Sequence, residues 1–328
     1  MAAARQWSFK CRPWQHSEYF EILNQRLSHD GFVIRELVSS GVNEVYRLAC
    51  GNYLKLFDPE FVDTERLSRF YKDVNDSHSS SFKIALPVMR ISPTRELCHS
   101  SDGRTVFAWT IYEPAQGSPV PIGDTRIPVI AAKHFREIAQ NCADCFDTYV
   151  TLQLRSLVDL LVGETENWIG THADSTARHI RSLLQFAIES DVDAFFTDYE
   201  ISHGDMHHMN IFSSPSSITV IDPDFICKAP TGYDEATALW MSLRKLQDGS
   251  SPNDSITCHP LIVQAQKIRH DLCGRENKYW LALLILRHVF FLLIQVKLWR
   301  YRGSAYATDH RTRREISYFE SLLSSFSR

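Results

Sequence analysis

The 328-residue chain lacks a strong charge of either sign. Its 35 Lys and Arg stand against 39 Asp and Glu, a net charge of −4 at pH 7. That is too mild to support bulk attraction to nucleic acid, and a nucleic-acid partner is not expected. It also lacks an apolar run behind Arg5, Lys10 and Arg12, so no secretory signal is read there. Residues 1–18 are expected to be a polar leader and the chain to be cytoplasmic. No second CxxC accompanies Cys142 and Cys145, whose spacing also suits one helix face. The eight cysteines (Cys11, Cys50, Cys98, Cys142, Cys145, Cys227, Cys258 and Cys273) are therefore read as reduced thiols rather than zinc ligands. No internal repeat is visible, and no low-complexity tract beyond short serine runs. Hydrophobic residues at 44% and charged residues at 23% exclude disordered, collagen-like and coiled-coil chains.

One segment invites a membrane reading. Tyr279 to Val296 (YWLALLILRHVFFLLIQV) approaches bilayer length, but Arg287 and His288 sit at its middle, where charge is most costly. A buried core helix is the reading adopted, with no membrane span expected.

The rest divides into two textures. From Phe32, FVIREL, EVYRLA and NYLKLF are rich in apolar and β-branched residues, separated by the turn SSGVN. Between Pro59 and Val74 the apolar residues Phe61, Leu67, Phe70 and Val74 recur near helical spacing, and the serine-rich Ser77–Ser81 ends that run. Two further strands are expected over Ile84–Ile91, where Pro87 implies an edge or irregular strand, and over Thr105–Ile111. Residues 113–128 hold Pro114, Gly117, Pro119, Pro121, Gly123 and Pro128 and read as a linker. Beyond it helices dominate: Ile130–Cys145, Tyr149–Leu161, Ser175–Ser190, Asp234–Leu246 and much of Pro260–Phe326. The expected organisation is α+β with two lobes: a small β-rich lobe over 19–112, a hinge over 113–128 and a larger helical lobe over 129–328.

An island of loop and strand at 201–225 interrupts the helices. It reads ISHGDMHHMNIF, a serine-rich turn SSPSS, then ITVIDPDF. A hairpin of the two apolar pieces brings Asn210 and Asp222 to the same end. Both offer hard oxygen ligands, which suit Mg²⁺ rather than zinc. Asp205, five residues before the Asn, is then free to orient a hydroxyl.

HGD-x₄-N followed by an apolar strand ending in Asp resembles the aminoglycoside phosphotransferase and choline kinase group, small-molecule kinases with a protein-kinase-like fold. The resemblance covers roughly residues 32–240. It implies that Asp205 is the catalytic base, that Asn210 and Asp222 hold the nucleotide's Mg²⁺, and that Lys55 in NYLKLF meets the phosphates. Ser40, Gly41 and Asn43 match that group's short phosphate turn, since G-x-G-x-x-G is absent. The Lys needs a helix carboxylate, for which Glu65 is preferred and Glu60 is the fallback. The hinge implied at Ile111–Ala115 would offer backbone groups of Glu113 and Ala115 to the nucleotide base. PTGYDEATALW resembles the segment whose Asp, here Asp234, supports the catalytic loop. DPDF stands in the place of the protein-kinase D-F-G and no A-P-E follows, which favours the small-molecule branch.

The expected activity is ATP-dependent phosphorylation of a hydroxyl on a small molecule, with GTP as the other nucleotide choice. The alternatives are a kinase of a glycan, lipopolysaccharide sugar or protein side chain, or a nucleotide-binding pseudokinase. Asp224, His207 and His208 have no assigned role at this stage: Asp224 reads either as a metal or substrate contact or as an exposed turn. Two charged groups bear on the acceptor and oppose one another. Asp191, Asp193, Asp198 and Glu200 form either an acidic rim for a polycation or a solvated helix end. The basic residues from Arg287 to Arg314 form either an anion-binding face or a solvated helix end. The acceptor and the oligomeric state are not read from the sequence.

Overall fold

A computed structural model of the chain describes residues 24–25, 27–40, 42–57, 62–75, 81–87, 108–122, 124, 126–140, 149–168, 174–247, 277–302 and 309–326. The polar leader, Gly41, Glu60, Cys142, Cys145, and residues 88–91 and 105–107 of the two expected strands Ile84–Ile91 and Thr105–Ile111 lie outside them.

Among the described residues the smaller lobe is an antiparallel sheet in the order β1-β2-β3-β5, formed by β1 (Ile34–Ser40), β2 (Glu44–Leu48), β3 (Tyr53–Phe57) and β5 (Ala108–Tyr112). Alternation along these strands divides the two faces. Tyr46, Leu48, Leu54, Leu56, Trp109 and Ile111 collect with Leu27 and Ile34 in a small core of their own. Lys55, between Leu54 and Leu56, faces the other way. Helix α1 (Thr64–Asn75) starts where the Asp63 carboxylate accepts the Arg66 amide at 3.0 Å. Its buried residues Leu67, Phe70, Tyr71 and Val74 follow i, i+3, i+4, i+7 spacing and pack into the main core, with the Phe70 and Phe135 rings 5.7 Å apart.

A second sheet, in the order β4-β9-β8-β6, joins the lobes. It contains β4 (Phe82–Ile84), β6 (Ser118–Pro119), β8 (Ile211–Ser213) and β9 (Ile218–Val220). The ITVI piece thus pairs antiparallel with IFS, as the hairpin reading requires, and also parallel with β4. A third, two-stranded sheet, which pattern reading missed, pairs β7 (Tyr199–Ser202) with β10 (Cys227–Pro230). Both are short, and their pairing partners lie on opposite sides of the island.

Among the described residues the helices of the larger lobe are α2 (Arg126–Gln140), α3 (Leu154–Trp168), α4 (Asp174–Glu189), α5 (Tyr233–Gln247), α6 (Asn277–Arg302) and α7 (Asp309–Phe326). Helix α2 begins inside the segment read as a linker, because Asp124 Oδ1 accepts the amides of Arg126 (2.8 Å) and Ile127 (3.0 Å). Helix α3 starts five residues later than expected. There the Leu154 and Arg155 amides donate to the Asp193 carboxylate, which arrives from the turn after α4. Helix α6 is, by length and composition, long and apolar enough to cross a membrane, yet 94% of the Lys278–Val296 window is buried inside the protein. Its apolar character all round is what a central core helix requires.

Candidate active site

The segment around Asp205 is built on a glycine. Gly204 has φ +82°, and a Cβ there would lie 2.1 Å from the Phe225 carbonyl oxygen. Only a residue without a side chain allows the loop to pass this close to the segment that follows Asp222. Asp234, at the start of α5, supports the same turn from below: its carboxylate accepts the amides of His203 (2.8 Å) and Gly204 (3.1 Å). His203 is fully buried. Its Nδ1 accepts the Asp205 amide at 3.2 Å, so its Nε2–H donates to the Ile221 carbonyl at 2.9 Å. Burial lowers its pKa, and the neutral ring ties the Asp205 loop to the strand leading into Asp222.

Asn210 donates its Nδ2 to the Asp205 carbonyl at 3.0 Å, which leaves Oδ1 as its oxygen for a cation. Asp222, just beyond β9, has φ +68°, a conformation uncommon outside glycine. Lys55 Nζ contacts the carboxylates of both Asp222 and Asp224. Burial would lower the Lys55 pKa, but the two carboxylates outweigh it and hold the ammonium charged. Burial pushes Asp222 up, yet the Lys55 charge holds it below the ordinary carboxylate range. Asp224, almost fully buried, is pushed well up by burial and by the neighbouring Asp222 charge. Asn43, at the β1–β2 turn, donates its Nδ2 to Asp224, so that turn is fastened to the segment carrying the acidic pair.

The Asp205 carboxylate has two cationic or imidazole neighbours. Arg287 Nη2 donates to Oδ1 at 2.5 Å, and His207 Nε2 lies 3.4 Å from Oδ2. Burial raises the Asp205 pKa, but His207 and Arg287 overcome it and hold the group well below the usual range. Asp205 is thus a carboxylate at any ordinary pH.

Between Lys55 and residues 112–115 lies an open cleft of about 320 Å³. Val38, Val45, Ala85, Phe212 and Ile221 form its apolar walls, and Tyr112, Glu113, Pro114 and Ala115 line one end. Lys55 and Asp222 line it too. An apolar-walled slot with a Lys–Asp pair fits a nucleotide, base among the apolar walls and phosphates toward the charges. The oxygens of Asn210 and Asp222 fit a hard cation beside those phosphates. Among the described residues no cluster of three or more His, Cys, Asp and Glu side chains could hold a metal ion, so phosphate and water oxygens would have to complete its coordination.

Of the residues singled out in the sequence, Lys55, Glu113, Ala115 and Asp222 line this cleft, Asn43 bonds Asp224, and Asn210 links the Asp205 carbonyl to Ile221, next to Asp222. Ser40 ends β1, but its side chain is not described. Glu65 is a correction: it is exposed on the outer side of α1 and pairs with Arg69, one turn along, instead of Lys55. Helical periodicity places Glu65 opposite the buried stripe, and the carboxylates that meet Lys55 come from Asp222 and Asp224. Of the two readings left open for the acidic group, neither describes Asp193 and Glu200. Asp193 caps α3, and the buried Glu200 pairs with Arg136 at 2.7 Å and accepts the Gly232 amide at 2.9 Å. Arg287 and Asp224 are the residues whose place the sequence reading did not find. For Arg287 the signal was present: a cation in the middle of an apolar helix demands a buried partner.

No family model and no curated protein sequence matches this chain. Solved structures do. An amicoumacin kinase in complex with AMP-PNP, Ca²⁺ and Ami superposes with TM-score 0.59 at 16% identity, over 94% of this chain and 97% of that one. The GDP complex of aminoglycoside 2'-phosphotransferase-IIIa gives 0.55 at 14%, over 95% and 98%. Choline kinase from Cryptosporidium parvum Iowa II gives 0.58 at 10%, over 92% and 93%. At such identities the likeness establishes the shared two-lobe α+β fold.

Proposed function

We propose that the protein is a phosphotransferase that moves the terminal phosphoryl group of a nucleoside triphosphate to a hydroxyl of a small molecule, with ATP as the donor and Mg²⁺ as the metal. The observation that carries this reading is a cleft with apolar walls that Lys55 and Asp222 line as a pair, with Asn210 bonded both to Ile221, the neighbour of Asp222, and to Asp205. The structural neighbours, whose names include kinases of amicoumacin, choline and aminoglycosides, support the same reaction class.

Each residue has a task that follows from its surroundings. Lys55, held charged between two carboxylates, meets the outer phosphates as a point charge. Asn210 Oδ1 and Asp222 would hold Mg²⁺, which when bound offsets charge on the phosphates. Asp205 orients the acceptor hydroxyl in line with the transferring group. As the new P–O bond forms and the bond to the leaving diphosphate breaks, Asp205 takes the hydroxyl proton. Its depressed pKa makes it a weak base, which suits a loose transition state in which the proton leaves late; positioning then supplies most of the acceleration. A nucleotide-rich compartment, the cytoplasm, would supply the donor.

A thermal-shift titration with Mg-AMP-PNP and Mg-GDP, followed by a phosphate-transfer screen of amino alcohols, sugars and aminoglycosides, tests the reading. Nucleotide-dependent stabilisation and turnover with at least one hydroxyl acceptor are expected. Tight Mg-nucleotide binding with no transfer to any acceptor or to water would favour a pseudokinase instead.

A further inference from the structure

We propose that Arg287 is a positioning residue, anchoring one oxygen of Asp205 so that the other, Oδ2, faces the acceptor; this rests on the phosphotransferase reading above. Arg287 stands in the middle of α6, is 3% exposed and lies among apolar neighbours. A cation so placed is costly unless compensated, and deleting one partner of a buried pair is worse still. Its compensation includes Tyr233 and two consecutive residues of the Asp205 segment. Nη1 donates to the Gly204 carbonyl at 3.1 Å and Nη2 to Asp205 Oδ1 at 2.5 Å.

The shape of the guanidinium matters here. Its planar fork reaches two acceptors in a fixed geometry, whereas an ammonium is a single point charge. The plane is itself held: the Arg287 guanidinium carbon lies 5.1 Å from the Trp240 ring centre and 5.7 Å from that of Phe290. Trp240 in turn donates Nε1–H to His288 Nδ1 at 3.2 Å, and His288 donates Nε2–H to the Glu315 carbonyl at 3.1 Å. Arg287 is therefore set in the helical core, and the loop is referenced to it. Nη2 takes Oδ1, and Oδ2 remains on the side of His207. A separate buried cationic cluster, Arg136 with Glu200 and Glu235, pairs elsewhere. The placement of Arg287 is thus specific to the carboxylate that handles the acceptor.

Two substitutions test the proposal, Arg287→Met and Arg287→Lys. The readouts are steady-state turnover of Mg-ATP with water or the best acceptor, calorimetric affinity for Mg-AMP-PNP, and a crystal structure of Arg287→Met. A freed Asp205 carboxylate should lower kcat by about 100-fold, the scale of a roughly 1 Å misplacement, with Mg-AMP-PNP affinity unchanged. Arg287→Lys should recover part of that loss, and the Met variant's structure should show the Asp205 carboxylate rotated. Unaltered kcat in Arg287→Met overturns the proposal, as does an unmoved Asp205 carboxylate. Equal loss of kcat, nucleotide affinity and melting temperature in both variants also overturns it, since that is the pattern of a purely structural ion pair. Should Arg287→Met not fold, the Lys variant alone decides by whether kcat falls without a change in affinity. A wild-type protein that binds Mg-AMP-PNP but turns nothing over defeats the phosphotransferase reading, while the Asp205 geometry in the variant structure still decides the positioning claim.

Discussion

Lys55 and Asp222 stand 167 positions apart in the chain, and the fold presses them into contact. The charge at Lys55 is thus defined by its partners, and the partners define which substitutions matter. Lys55→Met should raise the KM for nucleotide by about tenfold or more, corresponding to roughly 1.4 kcal/mol, the low end for a hydrogen bond to a charged group. Glu65→Gln should leave the same kinetics unchanged, because Glu65 pairs with Arg69 on the exposed side of α1. A nucleotide defect in Glu65→Gln would return that carboxylate to the cleft. Asp205→Asn should reduce phosphoryl transfer by at least about 100-fold, the usual scale for a positioned proton acceptor, while calorimetry with Mg-AMP-PNP gives the wild-type affinity.

Helices α1 and α2 are started by the local residues Asp63 and Asp124, but one helix is started by a residue far along the chain. Helix α3 shows this: its first two amides are capped by Asp193, 39 and 38 positions further along the chain. Asp193→Ala should cost about 1 kcal/mol, the typical value of a lost cap. The midpoint of urea unfolding reports it, with no change expected in nucleotide affinity. The loop at Gly204 is less forgiving. Gly204→Ala would meet both a left-handed backbone and the Phe225 carbonyl. Strain of about 1–3 kcal/mol per such residue, with a steric clash added, predicts a melting temperature several degrees lower and loss of turnover together.

At the scale of the whole molecule, stability is linked to a buried group that titrates. The His203 pKa is lowered from its ordinary 6.5 by burial. The unfolded chain therefore takes up this proton before the folded one does. Stability is complete above pH 6.5 and falls as the pH drops toward the folded-state value, by at most about 1.4 kcal/mol per pH unit for this one group. Thermal melts between pH 7.5 and 5 should show the fall, and His203→Gln, which can keep one donor and one acceptor, should flatten it. An identical slope in the variant would assign the pH dependence to other histidines. Ligand linkage acts on the same quantity: Mg-AMP-PNP at 100 times its Kd should add about 2.7 kcal/mol to unfolding.

Much of this was legible in local sequence. Alternation in EVYRL and YLKLF, the Leu67–Phe70–Val74 stripe, and the short hairpin between IF and ITVI all report local periodicity, which a side chain expresses wherever the chain ends up. That hairpin also brings Asn210 and Asp222, which flank it, toward one end, while the roles read for Asp205, Asn210 and Asp222 rest on the resemblance carried by HGD-x₄-N. Tertiary structure alone decided what crosses the chain. It turned Glu65 outward and gave Lys55 to Asp222 and Asp224. It converted Asp193 and Glu200 from an apparent acidic rim into a cap and a buried ion pair, and it paired β7 with β10 around the island. It also brought Arg287 onto Asp205. Sequence pattern shows that a buried charge must find a partner, because an uncompensated one is too costly to bury. Which partner it finds depends on packing between segments far apart in the chain, and no local periodicity encodes that.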